Sequence, residues 1–351
     1  MRILLVGLGG IGQRHARNLR AVLGQNVDLI AYRARGLSAL ITPMLSLDKT
    51  RNIQEEHNIR GFDTLESALS EAPDIAFVCN PSSMHIDTAL KCAQAGCDLF
   101  IEKPLSNSLR DVDRLIDCVV SNRRVAMVGY QFRFHPCIQR LRAILDEGLI
   151  GHLLAVRAMI GEFLPAWHRY EDYRTIYAAR SELGGGVILS QIHELDYLYF
   201  LFGVPRSVFA LGGHWSNLEI DVEDTASMLL ECTIEGRALP VHVQLDYLQC
   251  PPMRRCEIVG DNGKLMVDLL TNETTLYTNS RAEPERTRIE HFERNQLFLD
   301  ELKHFLECVE TRQQPMVTVQ DGAESLRIAL AAKESIATRQ LVKLEQLGSI
   351  A

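Results

Sequence analysis

Arg2-Ile3-Leu4-Leu5-Val6-Gly7-Leu8-Gly9-Gly10-Ile11-Gly12 decides the fold of the first part of this chain. A short apolar run ends in glycines spaced Gly-x-Gly-x-x-Gly, and the helical run Ile11–Leu23 follows. Strand, glycine loop and helix in that order are the setting in which this spacing binds a dinucleotide. Gly7 permits the tight turn, Gly9 lets a pyrophosphate approach the backbone, and Gly12 lets helix and strand pack closely. The amides of Gly10 and Ile11 at the helix start are placed to hold the phosphates. The apolar run is too short for a signal peptide and meets glycines rather than a small-residue cleavage site.

Outward from that loop, strand and helix alternate. Strands are expected at Ile3–Leu8, Asp28–Tyr32, Ile75–Cys79, Leu99–Ile101 and Val125–Tyr130, mostly continuous apolar runs of the kind buried on both faces. Between them, Val112, Leu115, Ile116 and Val119 repeat at helical spacing. Ala34–Lys49 has little pattern and is expected to be a loop insertion. Near residue 130 the pattern changes. Ile138, Leu141, Ile144 and Leu145 form an amphipathic helix, and β-rich runs follow at Leu153–Ile160, Val208–Leu211, Thr225–Ile234, Leu239–Leu248, Cys256–Val259, Lys264–Leu269 and Thr275–Tyr277. Two helices close the chain, with stripes Phe298, Leu302, Phe305, Val309 and Leu326, Leu330, Ile336.

The expected fold is α/β followed by α+β. Residues 1–130 form a Rossmann dinucleotide-binding domain. Residues 131–351 form a substrate and oligomerisation domain on a large, open, mostly antiparallel sheet, with terminal helices free to return to the first domain. Apolar residues make up 46% of the 351, enough for two domains with a sizeable core. A net charge of −8 argues against non-specific nucleic-acid binding, which needs a basic surface. No run has the roughly 18 apolar residues of a membrane span. The nine cysteines are scattered, as expected of small buried hydrophobes in a reducing cytoplasm. No clustered His/Cys spacing suggests a metal.

Two further elements carry chemistry. Glu102-Lys103-Pro104 follows Leu99-Phe100-Ile101, which places an ammonium group at the carboxyl end of a parallel strand, facing the dinucleotide crevice. Asn80-Pro81 with His85 follows another strand and forms a second crevice loop near the cofactor. Gly184-Gly185-Gly186 opens a helix whose core stripe is Ile188, Ile192, Leu195, Tyr199 and Phe202. Gly186, Ser190, His193 and Tyr197 form a second stripe, which presents His193 away from the core stripe, just below the glycine-rich opening. Oxidising a carbon that bears a hydroxyl needs a proton acceptor and a group that stabilises alkoxide-like charge; His193 and Lys103 suit these tasks.

An NAD-specific site wants a carboxylate about 20 residues after the fingerprint. Here the zone reads Ala31-Tyr32-Arg33-Ala34-Arg35. Arg33 and Arg35 offer two cations suited to a 2′-phosphate, which predicts NADP in preference to NAD.

The pattern resembles the glucose–fructose oxidoreductase / inositol dehydrogenase / MocA (Gfo/Idh/MocA) family over nearly the whole chain. The matching residues are the fingerprint at 7–12, Asn80-Pro81 with His85, Ala95-Gly96 before Glu102-Lys103-Pro104, Tyr130–Pro136, Gly148–Gly151, Gly184–His193 and Gly260–Gly263. The resemblance implies that Lys103 and His193 are catalytic, that Glu102 lines the cofactor site, and that Lys103-Pro104 is a cis bond. It implies a sugar, cyclitol, acid or nucleotide-linked substrate and a homodimer or homotetramer formed through the C-terminal sheet. Arg133, Arg174 and Tyr177 are candidate substrate contacts. One position departs from the family: an acidic residue commonly lies three or four positions before the histidine, and this chain has Ser190. Ser190 then relays a proton, or Glu194 or Asp196 compensates. The expected activity is NAD(P)-dependent oxidation or reduction at a CH–OH carbon. The alternatives are a lyase or hydrolase with transient redox on retained cofactor, and a non-catalytic NAD(P)-binding regulator.

Overall fold

The computed structural model describes residues 1–33 and 39–347. The first sheet contains β1 (Arg2–Val6), β2 (Asp28–Tyr32), β5 (Ile59–Phe62), β6 (Ile75–Val78), β7 (Asp98–Ile101) and β8 (Ala126–Val128). Its order is β5-β2-β1-β6-β7-β8, with every pair parallel. β1, β6 and β7 are almost wholly buried because helices cover both faces. The chain builds outward from β1 in one direction and then in the other. The carboxyl ends of β1 and β6 therefore flank a crevice at the switch point.

Of the stretch expected to be a loop after the second strand, residues 34–38 lie outside the described residues, and the rest contains strands. β3 (Ala39–Ile41) and β4 (Leu47–Asn52) form a small hairpin, held by Gln13, whose Oε1 accepts from Ile41 N at 2.7 Å. Edge strand β5 has two exposed residues in four, so its sequence lacks the apolar run that marks the inner strands.

The second sheet holds β9 (Leu153–Gly161), β10 (Ser207–Gly213), β11 (Thr225–Ile234), β12 (Arg237–Asp246), β13 (Met253–Gly260), β14 (Gly263–Asp268), β15 (Glu273–Thr278), β16 (Glu285–Arg288) and β17 (Val342–Lys343). Its order is β16-β15-β14-β13-β9-β12-β11-β10-β17, antiparallel except for the β9–β12 pair. In β11 and β12 buried residues alternate with accessible ones, so one face is packed and the other open.

The helices are α1 (Gly10–Leu23), α2 (Ile53–Glu56), α3 (Leu65–Leu69), α4 (His85–Gln94), α5 (Val112–Ser121), α6 (Pro136–Asp146), α7 (Val187–Ser190), α8 (His193–Phe202), α9 (Arg294–Thr311) and α10 (Val319–Thr338). The last two reach the first sheet. Asn295 Nδ2 donates to Asn18 Oδ1 of α1 at 3.0 Å, and Met127 of β8 bridges Thr318. α10 opens with a capping box between Thr318 and Asp321. No helix among the described residues is long and apolar enough to cross a membrane.

Candidate active site

The glycine loop is shaped by what a side chain would strike. Gly7 has φ of 102°, and a Cβ there would lie 2.9 Å from the Cys79 carbonyl oxygen. A Cβ on Gly12 would collide with the Gly7 carbonyl. Gly9 faces open space, with nothing within 4 Å of a built Cβ. It is the N-cap of α1 and has no side-chain cap, so the first amides of the helix, at Gly10 and Ile11, are free for an anion. This cradle fits a dinucleotide pyrophosphate. Gly10 has a separate role: a Cβ there would lie 2.7 Å from Tyr170 Oη. The segment between β9 and α7 thus reaches across to the glycine loop, a contact with no local sequence signal.

At the end of β2, Arg33 Nη2 donates to Gln54 Oε1 at 2.6 Å. Arg35 lies outside the described residues. Asn80 closes β6, its amide donating to Thr88 Oγ1 at 2.9 Å, and Pro81 follows half-buried. His85 was expected beside the cofactor, but it is 1% exposed. Its ring nitrogens face the Pro104 and Asn80 carbonyl oxygens at 2.9 and 2.8 Å. It clasps two crevice loops together, and burial lowers its pKa. Glu102 is also turned inward. Its Oε1 lies 2.7 Å from His15 Nε2 on α1, and its Oε2 accepts weakly from Lys103 N.

Lys103 stands two residues beyond β7, and the Lys103-Pro104 bond is cis. Its Nζ donates to the backbone oxygen of Ser190 at 2.9 Å. That oxygen is available because the expected single helix is interrupted. α7 ends at Ser190, Gln191 and Ile192 form a turn, and α8 begins at His193. Glu194 N bonds the Gln191 carbonyl, which leaves the Ser190 carbonyl to the lysine. Lys103 from the first sheet and His193 from the second part of the chain converge through this turn.

His193 is 5% exposed, and its ring lies 5.0 Å from Phe132 and 5.8 Å edge-on from Tyr130. Burial, aided by the charges of Lys103, Arg254 and Arg294, pushes its pKa well below the usual value. The imidazole is therefore neutral at pH 7. The relay from Ser190 is not formed: His193 Nδ1 and Ser190 Oγ both lack a partner of ordinary hydrogen-bond geometry, although the serine stands beside the Tyr247 hydroxyl. Compensation by a neighbouring acid is also absent. Glu194 is bound by Arg254 at 2.7 and 2.9 Å, and Asp196 is bound by Arg133 at 2.8 Å and by Ser325 Oγ at 3.0 Å.

One of these pairs corrects a substrate candidate, Arg133. Arg133 is 2% exposed and faces Asp196, with Asp321 at 3.5 Å; it cross-links the core and cannot reach a ligand. Arg174 is exposed, with its guanidinium taken by Asp172 and Glu219. Tyr177 stays near the site, half-buried and close enough to Tyr247 to perturb it. Sequence reading missed Arg14, on α1 beside the glycine loop, and Tyr170, Glu162 and Arg294, which approach from distant segments. Among the described residues no group of His, Cys, Asp and Glu is placed to hold a metal.

The profile of the GFO/IDH/MocA oxidoreductase family, NAD-binding Rossmann fold, matches residues 1–130, and that of its C-terminal alpha/beta domain matches residues 142–344. The chain is 29% identical to myo-inositol 2-dehydrogenase of Thermotoga maritima, covering 99% of each. A solved probable dehydrogenase from Thermotoga maritima superimposes with a TM-score of 0.74 at 25% identity, covering 99% of this chain and 100% of that one. Levoglucosan dehydrogenase, solved with NADH and levoglucosan, shares the fold with a TM-score of 0.82 at 17% identity, covering 98% of this chain and 99% of that one. Glycine cradle, crevice lysine and full-length match agree: this chain belongs to the GFO/IDH/MocA oxidoreductase family.

Proposed function

We propose that the chain is an NAD(P)-dependent dehydrogenase acting on a CH–OH carbon of a sugar or cyclitol, with Lys103 and His193 as its acid–base groups. The observation that carries this reading is the convergence of Lys103 Nζ and the His193 turn on the Ser190 carbonyl, at the carboxyl edge of a parallel sheet. The bound nicotinamide would supply hydride acceptance and return. The Gly9 cradle and the first amides of α1 would hold the pyrophosphate. As the C–H hydride leaves, the hydroxyl proton must depart. Neutral His193 accepts it, while the Lys103 ammonium holds the developing oxyanion. No carboxylate among the described residues steadies the resulting imidazolium, and the charges of Lys103, Arg254 and Arg294 disfavour it, so Lys103 stabilises the oxyanion alone. In the test, Lys103→Met lowers turnover about 10³-fold while NAD(P)H still binds; near-normal turnover overturns the assignment. Net NAD(P)H formation from neutral or acidic sugars and cyclitols separates a dehydrogenase from a lyase with transient redox.

Arg33 at the end of β2, with no carboxylate in its zone, supports NADP in preference to NAD; a lower Michaelis constant for NAD would refute that. Residues 1–130 then form the cofactor domain, with the rest serving the substrate. The open face of the second sheet carries Leu211 and Leu229, the latter opposite Phe209, and is the surface proposed to meet a second copy. Leu229→Lys should shift the sedimentation of the wild-type oligomer toward monomer.

A further inference from the structure

α9 begins at Arg294 and lies against two parts of the site at once. Toward the cofactor side it packs on α1, where the Arg14 guanidinium lies 4.3 Å over the Phe298 ring. Toward the chemistry side it packs on the 131–134 turn, whose Phe132 touches the His193 ring. Arg294 itself is open to solvent. Even so, protein crowds it enough for burial to depress its pKa, and its charge is felt by both His193 and Arg14. Its place at the start of α9, between α1 and the 131–134 turn, sets it beside both halves of the site.

The cations around His193 have different commitments. Arg254 is neutralised by Glu194 and stacks 3.7 Å over Phe132. Lys103 is held by a neutral carbonyl beside the reacting group. Arg294 has no carboxylate within 4 Å among the described residues; Glu162 is the acid that acts on it from farther away. Arg14 belongs to the phosphate side, since it acts on Tyr170 above Gly10. A guanidinium with no carboxylate within 4 Å among the described residues, near Arg254 and Arg14, is suited to an anion that arrives with the substrate. Its planar fork matches carboxylate or phosphate bidentately.

We infer that the substrate carries an anionic group, a carboxylate or phosphate on the sugar or cyclitol, and that Arg294 is the residue that binds it. This rests on the dehydrogenase reading above and narrows it. Neutral inositols and hexoses would leave Arg294 unpaired, so they would be poor ligands.

The test uses NADPH-loaded protein titrated calorimetrically with glucuronate, glucose 6-phosphate, glucose and myo-inositol. One charged hydrogen-bonded pair predicts that the preferred anion binds about tenfold to a hundredfold more tightly than glucose. The two anions differ in where the charge sits, so their ranking separates a carboxylate from a phosphate. Arg294→Gln should remove the preference, Arg294→Lys should keep part of it, and NADPH affinity by fluorescence should stay within about twofold. Equal binding of anionic and neutral ligands by the wild type overturns the inference. So does an Arg294→Gln variant that loses NADPH affinity and keeps the anion preference, since the guanidinium would then serve the pyrophosphate. Anion binding with no NADP+ reduction by any of the four ligands, read in a parallel assay with the oxidised cofactor, would sink the dehydrogenase reading and leave the anion site standing. Turnover of neutral substrates with no anion preference would do the reverse.

Discussion

Two buried histidines lie on either side of the crevice, and their surroundings differ in one respect. His15, on α1, is 0% exposed, sits among Phe77 and Phe100, and has Glu102 at 2.7 Å. His193 is almost as buried and has aromatic neighbours of its own, but no carboxylate; the charges that reach it are cations. Where a carboxylate is supplied, the imidazole becomes an anchor that ties the phosphate-binding helix to the strand bearing Lys103. Where it is withheld and cations surround the ring, burial and charge keep the imidazole neutral, the state that the proposed proton acceptor needs. The partner decides the role more than the burial does.

Breaking the reactive half should have the largest effect. His193→Ala is expected to lower kcat about 10²- to 10³-fold with little change in melting temperature. A large loss of stability with only mild loss of turnover would make His193 another anchor. Breaking the structural half should reverse the pattern. Glu102→Ala leaves His15 buried without its partner and should cost about 1–3 kcal/mol in denaturant unfolding; unchanged stability would remove the contrast.

Ser190→Asp would give the second histidine what the first already has. A nearby carboxylate raises an imidazole pKa, so the acid limb of kcat/KM should move to higher pH. Turnover above that limb should rise, by up to about tenfold. A pH profile that does not move would mean the position has a different role in this chain.

The smallest effect concerns Glu301, which is 0% exposed near Glu102 with both carboxylate oxygens unpartnered. Burial holds its pKa well above the usual value, so the folded state keeps a proton that the unfolded chain releases. Its contribution to stability is therefore present at and below the ordinary carboxyl range and is lost as pH rises toward the folded pKa. Glu301→Gln should stabilise the protein by about 1 kcal/mol more at pH 8 than at pH 5. Equal melting shifts at both pH values would show that the side chain is not held protonated.

Much of this comparison was legible in the sequence, and the remainder was lost for physical reasons. The glycine loop, β6, β7 and the Glu-Lys-Pro element are local: spacing and apolar runs suffice to identify them. The bounds of Thr225–Ile234 agree with the strand because burial alternates from Thr225 to Cys232. The break at Gln191–Ile192 was invisible because the apolar stripe continues through it. Arg133 looked like a ligand contact because its partner Asp196 lies 63 residues away. Arg294 and Tyr170 enter the site only through tertiary packing, and nothing in their local sequence signals it.

The interruption between α7 and α8 bears on engineering. A carbonyl oxygen fixes the Lys103 side chain without cancelling its charge, whereas a carboxylate would do both. Replacing Gln191 and Ile192 with stronger helix formers is a routine way to raise thermal tolerance. Here it would return the Ser190 carbonyl to the backbone ladder and release the lysine. The irregular turn marks a position where gains in robustness would come at the expense of turnover.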